Sequence, residues 1–183
     1  MVSEIKLRRR PYIVGVMGSH REEGLTKEAR LIGRAVAERG CVLLTGGGPG
    51  LMRAAAQGAH EAGGLVIGIL PNERSRPLPG YPNEFVDIPI YTGLSDARNV
   101  INAKTPHVLI ALNGSVGTIS EIAFALRAGT PVIGFCCPEF SLNTDEYPFK
   151  RVTSVDAAIR EMDAILKKWA GNAEDFFRGV PVI

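Results

Sequence analysis

The sequence is poor in cysteine and histidine, with three of each in 183 residues. Cys41, Cys136 and Cys137 are odd in number, and each lies beside apolar, strand-like residues. That excludes a disulfide framework and predicts reduced, buried thiols in a cytoplasmic protein. Adjacent residues of a strand point to opposite faces, so Cys136 and Cys137 do not read as a redox or metal pair. His20, His60 and His107 are scattered and share no ligand spacing with the cysteines, so no metal site is expected. No apolar run approaches the length of a membrane span. The N-terminus carries charges but no apolar segment before a small-residue cleavage site, so no signal peptide is read there. The net charge is only +2, with Arg8-Arg9-Arg10 as the single basic cluster. Neither a membrane nor a nucleic acid is an expected partner.

Named fingerprints are missing as well. The first candidate turn, Gly15-Val16-Met17-Gly18-Ser19-His20, is not G-x-G-x-x-G, and Gly46 to Gly50 fails the same pattern at Leu51. A nicotinamide enzyme is therefore disfavoured. There is no G-x-x-x-x-G-K-[ST] phosphate loop and no G-x-S-x-G nucleophile elbow.

What is present is a repeated alternation of strand and helix patterns. The apolar content of 45% and the length suit a single domain over residues 1–183 with a sizeable core. Residues 1–11 read as a lead-in. Strands are expected at Tyr12–Met17, Cys41–Leu44, Leu65–Leu70, Phe85–Ile88, Val108–Leu112, Val132–Cys136 and, briefly, Arg151–Val152. Helices are expected at Thr26–Glu38, Leu51–Ala62, Ser95–Lys104 with Ser95 as cap, Ile119–Leu126 and Val155–Lys168. The inner strands are apolar on both faces. This predicts an α/β, Rossmann-like, doubly wound parallel sheet of six or seven strands flanked by helices. The segment 72–84, rich in Pro, Gly and Arg, reads as a mobile loop.

The most informative segment is Leu112-Asn113-Gly114-Ser115-Val116-Gly117-Thr118-Ile119-Ser120-Glu121. A strand leads into a glycine turn and a helix start, which aims backbone N–H groups at one point where an anion can sit. Leu43-Leu44-Thr45-Gly46-Gly47-Gly48-Pro49-Gly50-Leu51-Met52 repeats the arrangement, with Gly47 matching Gly114 and Gly50 matching Gly117. Such punctuation is what two β-α-β units need, with or without a duplication. Both turns, and Gly18-Ser19 after the first strand, are expected at the carboxyl ends of strands, where such sheets bind ligands. Glu121 has two readings: a capping box over Thr118-Ile119-Ser120-Glu121, or a functional carboxylate. Arg98 stands in the first turn of its helix, where a cation opposes the helix dipole, with Asp96 as a local partner or an anionic ligand as an external one.

These residues resemble a known family. Gly114-Ser115-Val116-Gly117-Thr118-Ile119-Ser120-Glu121 resembles the P-G-G-x-G-T-x-x-E motif of the Lonely Guy (LOG) family, once labelled putative lysine decarboxylases. Gly46-Gly47-Gly48-Pro49-Gly50-Leu51-Met52 resembles its G-G-G-x-x-G-x-M motif. Ala97-Arg98-Asn99-Val100-Ile101-Asn102 is most similar to the branch of molybdenum-cofactor carrier proteins. The strand-end position of Gly18 and Ser19, together with what the resemblance implies for Gly46, Gly47, Gly48, Met52, Arg98, Asn99, Gly114, Ser115, Val116, Gly117, Thr118 and Glu121, gives the expected ligand contacts. The resemblance implies a homodimer or homotetramer. It also implies one of two functions. One is a binding protein for a phosphorylated pterin or nucleotide, with molybdenum cofactor as cargo and no cofactor required. The other is a nucleoside 5′-monophosphate phosphoribohydrolase in which Arg98 and Glu121 are catalytic. Asn113 and Ser115 replace the motif's Pro and second Gly, and Asn99 stands where LOG enzymes carry Lys, which favours the first. Lysine decarboxylation has no support, because no pyridoxal-phosphate lysine context is recognisable.

Overall fold

A computed structural model describes residues 11–21, 24–141 and 146–177. The lead-in at 1–11 lies outside the described residues apart from Pro11. Among the described residues are seven strands, β1 (Ile13–Met17), β2 (Val42–Thr45), β3 (Val66–Leu70), β4 (Ile88–Tyr91), β5 (Val108–Ala111), β6 (Val132–Phe135) and β7 (Phe149–Val152), and five α-helices; a helix follows each strand except β3 and β6. The helices are α1 (Thr26–Glu38), α2 (Leu51–Glu61), α3 (Asn99–Lys104), α4 (Val116–Arg127) and α5 (Val155–Phe177). The strands form one parallel sheet in the order β4-β3-β2-β1-β5-β6-β7. Strand order reverses between β1 and β5.

Period-two alternation sends the strand side chains into two cores. Val14, Val16, Leu43, Val108 and Ile110 pack on one face against α1, α2 and α5. Met17, Leu44, Leu109 and Ala111 pack on the other against α3 and α4. Both faces are covered, as the continuous apolar strands require.

The expected strand at Phe85–Ile88 is displaced to Ile88–Tyr91. Phe85 and Val86 are partly buried against the first core instead. Pro89 argues against a strand in sequence, yet an edge strand tolerates it. The expected helix from Ser95 is a 3-10 turn, Ser95–Arg98, leading into α3. Ser95 does not cap it and has φ +50°. The last strand starts two residues earlier than expected, α4 three residues earlier, and α5 runs on to Phe177. Cys41 and Cys137 are buried as expected, but Cys136 is exposed. It follows the last residue of β6 at φ +50°, so the chain has already left the strand there.

Two features anchor the frame. At the amino ends of β1 and β5, His107 Nδ1 accepts the Ile13 N–H at 3.0 Å. Its ring meets Tyr12 and Trp169 edge-on, and Trp169 Nε1–H donates to the His107 carbonyl at 3.1 Å. Burial holds the His107 imidazole below its ordinary range. The second feature is the crossing of α1 and α2. A Cβ at Gly33 would overlap the Ala55 carbonyl, and one at Gly58 would overlap the Arg30 carbonyl. The two helices touch backbone to backbone through this reciprocal pair.

Gly→Ala inside a helix ordinarily stabilises by up to about 1 kcal/mol. At Gly33 the sign is expected to invert, because the methyl must push α1 off α2, and overpacking of this kind costs about 1–3 kcal/mol. Urea unfolding of Gly33→Ala should give a lower midpoint with an unchanged slope.

Candidate functional site

The glycine turns open on the carboxyl edge of the sheet, beside the reversal of strand order. Ser19 ties them together. Its N–H donates to the Asn113 carbonyl at 2.7 Å, and its carbonyl accepts from Leu51 N–H at 2.9 Å. Gly18, just before it, approaches closely enough that a Cβ would lie 3.2 Å from the Asn113 carbonyl oxygen. A cleft of about 240 Å³ lies here, lined by Ser19, His20, Arg21, Gly114 and Ser115. A larger cavity of about 390 Å³ sits at the opposite end, between the starts of β6 and β7 and helix α5. Ligands of such sheets bind at strand carboxyl ends, so the smaller cleft is the functional candidate.

The two turns are not equivalent, although their sequences echo one another. Gly47 and Gly50 both adopt positive φ, at +72° and +68°. A Cβ at Gly50 would overlap the backbone of His20. Gly114 and Gly117 do not have positive φ. Gly114 is needed because the buried Thr118 side chain lies against it. Beside Gly117 there is open space, with only Asn99 Nδ2 near at 3.9 Å from a notional Cβ. Ser115 is the N-cap residue of α4, and no side chain caps the helix. The first N–H groups of α4 precede its first backbone bond, donated by Ile119 to Ser115, and lie next to the cleft. Val116 is largely exposed there.

The first turn carries a second cluster. Arg98 is buried, and its Nη1 donates to the carbonyls of Gly46 and Ile69. Its charge is therefore spent on strand ends, not on Asp96, and it lies at the N-cap position of α3. The Tyr81 ring lies 5.6 Å from the guanidinium carbon and fills the space a Gly48 side chain would need. Asn83 closes the loop over this turn: its N–H donates to the Gly47 carbonyl at 2.8 Å and its Nδ2 to the Gly48 carbonyl at 2.9 Å. Met52 lies under Gly46, its sulfur 2.8 Å from where a Cβ would stand. Arg53, further along α2, pairs with Glu84.

Glu121 does not form the expected capping box, because α4 begins at Val116 and places it in the second turn, facing inward. Its Oε1 accepts from Asn102 Nδ2 at 2.7 Å. Asn99, one turn earlier on α3, donates to Ser120 Oγ at 2.9 Å. Burial pushes the Glu121 carboxyl up to about 7, against the Asn102 hydrogen bond and the Arg98 charge, which pull it down. Arg98 Nε and Asn102 Oδ1 are buried without a hydrogen-bond partner among the described residues. A buried acid shifted towards neutrality near an arginine marks this cluster as a functional-site candidate.

Asn102, Tyr81, Asn83, His20 and Arg21 were not foreseen. Asn102 follows Asn99 by one helical turn, a spacing the sequence does display. Tyr81 and Asn83 lie in an aperiodic loop that carries no such signal. Among the described residues, no group of three or more His, Cys, Asp or Glu is arranged to hold a metal, and no helix is long and apolar enough to cross a membrane.

The model of the SLOG cluster4 family matches residues 11–163. The chain belongs to that family. Its fold is that of a molybdenum cofactor binding protein from Rippkaea orientalis, with 36% identity, 87% of this chain and 99% of that one covered, and a TM-score of 0.77. The molybdenum cofactor carrier protein of Chlamydomonas reinhardtii is similar, at 36% identity, 86% and 99% coverage and a TM-score of 0.75. A rice protein described as a probable cytokinin riboside 5′-monophosphate phosphoribohydrolase is 32% identical over 137 residues, 71% of this SLOG chain and 52% of its own length.

Glu121 and His107, two of the perturbed groups, oppose one another in pH-dependent stability. Glu121, raised from 4.5 to about 7, contributes stability that is full below 4.5 and lost as pH rises through 7. His107, depressed from 6.5, contributes stability that is full above 6.5 and lost as pH falls through its folded value. Glu121→Gln is therefore expected to raise the melting temperature at pH 8, with the gain shrinking towards pH 5. The variant should also show a clearer acid-side loss below pH 6.5 than the wild type. Melting curves from pH 5 to 8 check both signs.

Proposed function

We propose that this SLOG-family chain is a binding protein for a phosphorylated small molecule, with the molybdenum cofactor as its cargo. The observation that carries this reading is the Gly114–Thr118 turn. It lies beside the reversal of strand order and enters an uncapped helix, and its N–H groups and helix dipole favour a phosphate. Ser19 flanks it from the first strand. The two structural relatives whose printed descriptions name the molybdenum cofactor support the choice of cargo. Gly46, Gly47, Gly48 and Met52, with Arg98, would hold the remainder of the ligand. Opening of the 72–84 loop at its Tyr81 and Asn83 anchors would admit it.

One observation favours a second reading, phosphoribohydrolase activity. The Arg98 charge acts on the buried Glu121 carboxyl, and breaking an N-glycosidic bond develops positive charge that a carboxylate stabilises while it orients water. The rice relative supports it.

The two readings separate on turnover. As a carrier, the wild type releases no ribose 5-phosphate from nucleoside monophosphates above background. Arg98→Ala weakens ligand binding indirectly, because it releases the Gly46 and Ile69 carbonyls that shape the first glycine turn. Glu121→Gln leaves affinity nearly intact, since glutamine can keep the Asn102 contact. Melting curves of each variant establish that it is folded. Robust wild-type release, abolished by Glu121→Gln at similar affinity, would establish the hydrolase instead.

Assembly as a homodimer or homotetramer belongs to the same proposal. Val116 and Ile119 leave apolar surface on α4, one helical turn apart. Light scattering at micromolar concentration is expected to show a species of at least twice the chain mass, and a monomer would refute it.

A further inference from the structure

We infer that Arg21 is the residue that reads the charge of the ligand at the switch-point cleft, so that this chain selects phosphate monoesters over their unphosphorylated counterparts. The inference rests on the reading above, in which a phosphate occupies the Gly114–Thr118 turn.

A phosphate monoester brings nearly two negative charges at neutral pH. Backbone N–H groups and a helix terminus supply only partial charges. The cation expected to meet this need, Arg98, is engaged elsewhere. Its guanidinium is buried on the carbonyls of Gly46 and Ile69, and its charge acts on Glu121. Position 99, beside Gly117, holds a neutral amide bonded to Ser120.

Of the residues lining the cleft, Arg21 alone carries a permanent charge. Its backbone is fixed. The Arg21 N–H donates to Ser19 Oγ at 3.0 Å, and Ser19 is held by both glycine turns. Gly50 admits the 19–21 backbone at a distance no Cβ would allow. The side chain, by contrast, makes no hydrogen bond, ion pair or ring contact among the described residues. Elsewhere on this surface, Arg30 pairs with Glu61, Arg39 with Asp163 and Arg53 with Glu84. Arg74 and Arg151 lie over aromatic rings. An anchored backbone that places an exposed arginine at the lining of an anion cradle is suited to planar, bidentate recognition of phosphate oxygens.

The test compares neopterin monophosphate with neopterin by fluorescence titration, with inorganic phosphate as competitor. The wild type is expected to bind the phosphate ester at least about tenfold more tightly than neopterin, in a phosphate-competed manner. Arg21→Gln should lose about tenfold in affinity for the ester and nothing for neopterin, and Arg21→Lys should restore part of the loss. Arg34→Gln removes the same charge from α1, where Arg34 pairs with Glu61, and is expected to change neither affinity. Undiminished ester selectivity in Arg21→Gln, or an equal loss in Arg34→Gln, would overturn the inference and leave the proposed function standing. Wild-type binding without phosphate competition or ester preference would remove both.

Discussion

A buried guanidinium holds the carboxyl edge of this sheet together. Arg98 donates to the last residue but one of β3 and to the first glycine after β2. It thus fixes the first glycine turn against the neighbouring strand. Burying a cation is costly unless it is paired and hydrogen-bonded. Here two carbonyls, the Tyr81 ring and the nearby Glu121 share the task. Gly46 must be glycine, because a Cβ would stand 2.7 Å from the guanidinium nitrogen. The loop after β3 then folds over the turn through Tyr81 and Asn83. Remove the guanidinium, and the turn, the loop and Glu121 all lose a partner.

The same edge carries a deliberate instability. Glu121 is packed between α3 and α4 with one hydrogen bond, from Asn102, among the described residues. Asn102 Oδ1 and Arg98 Nε have no hydrogen-bond partner among the described residues. An apolar residue at position 121 would pack this interface at lower cost. Natural proteins depart from such local optima chiefly at functional sites, where a stability loss is exchanged for binding or chemistry. The tight reciprocal contact of Gly33 and Gly58, remote from the edge, shows what the fold does where only packing counts.

The sheet, its parallel sense and most of its elements were legible in the sequence. Apolar runs such as Val108–Ala111 and the 3.6-residue spacing of Ala29, Ile32 and Val36 leave few alternatives once both sheet faces must be covered. The errors fell where local signals conflict with tertiary demands. Pro89 hid β4, because an edge position excuses it. Thr118 to Glu121 has the pattern of a capping box, but α4 starts at Val116 and turns Glu121 into the core. Cys136 follows an apolar run, yet the chain bends there and exposes it.

Glycine spacing, helix periodicity and the charges on Arg98 and Glu121 are local properties, and the sequence alone determined that two glycine turns follow strands and that an arginine and an acid accompany them. Which strand lies beside which is not local. Only the tertiary structure brought Ser19 between two turns far apart in sequence, set Asn102 on Glu121, spent the Arg98 charge on carbonyls and left Arg21 at the cleft. Those pairings depend on the reversal of strand order between β1 and β5, and on the depth at which each side chain leaves water. Neither quantity is written in any window of residues, because burial and long-range contact are decided by the packing of the whole sheet.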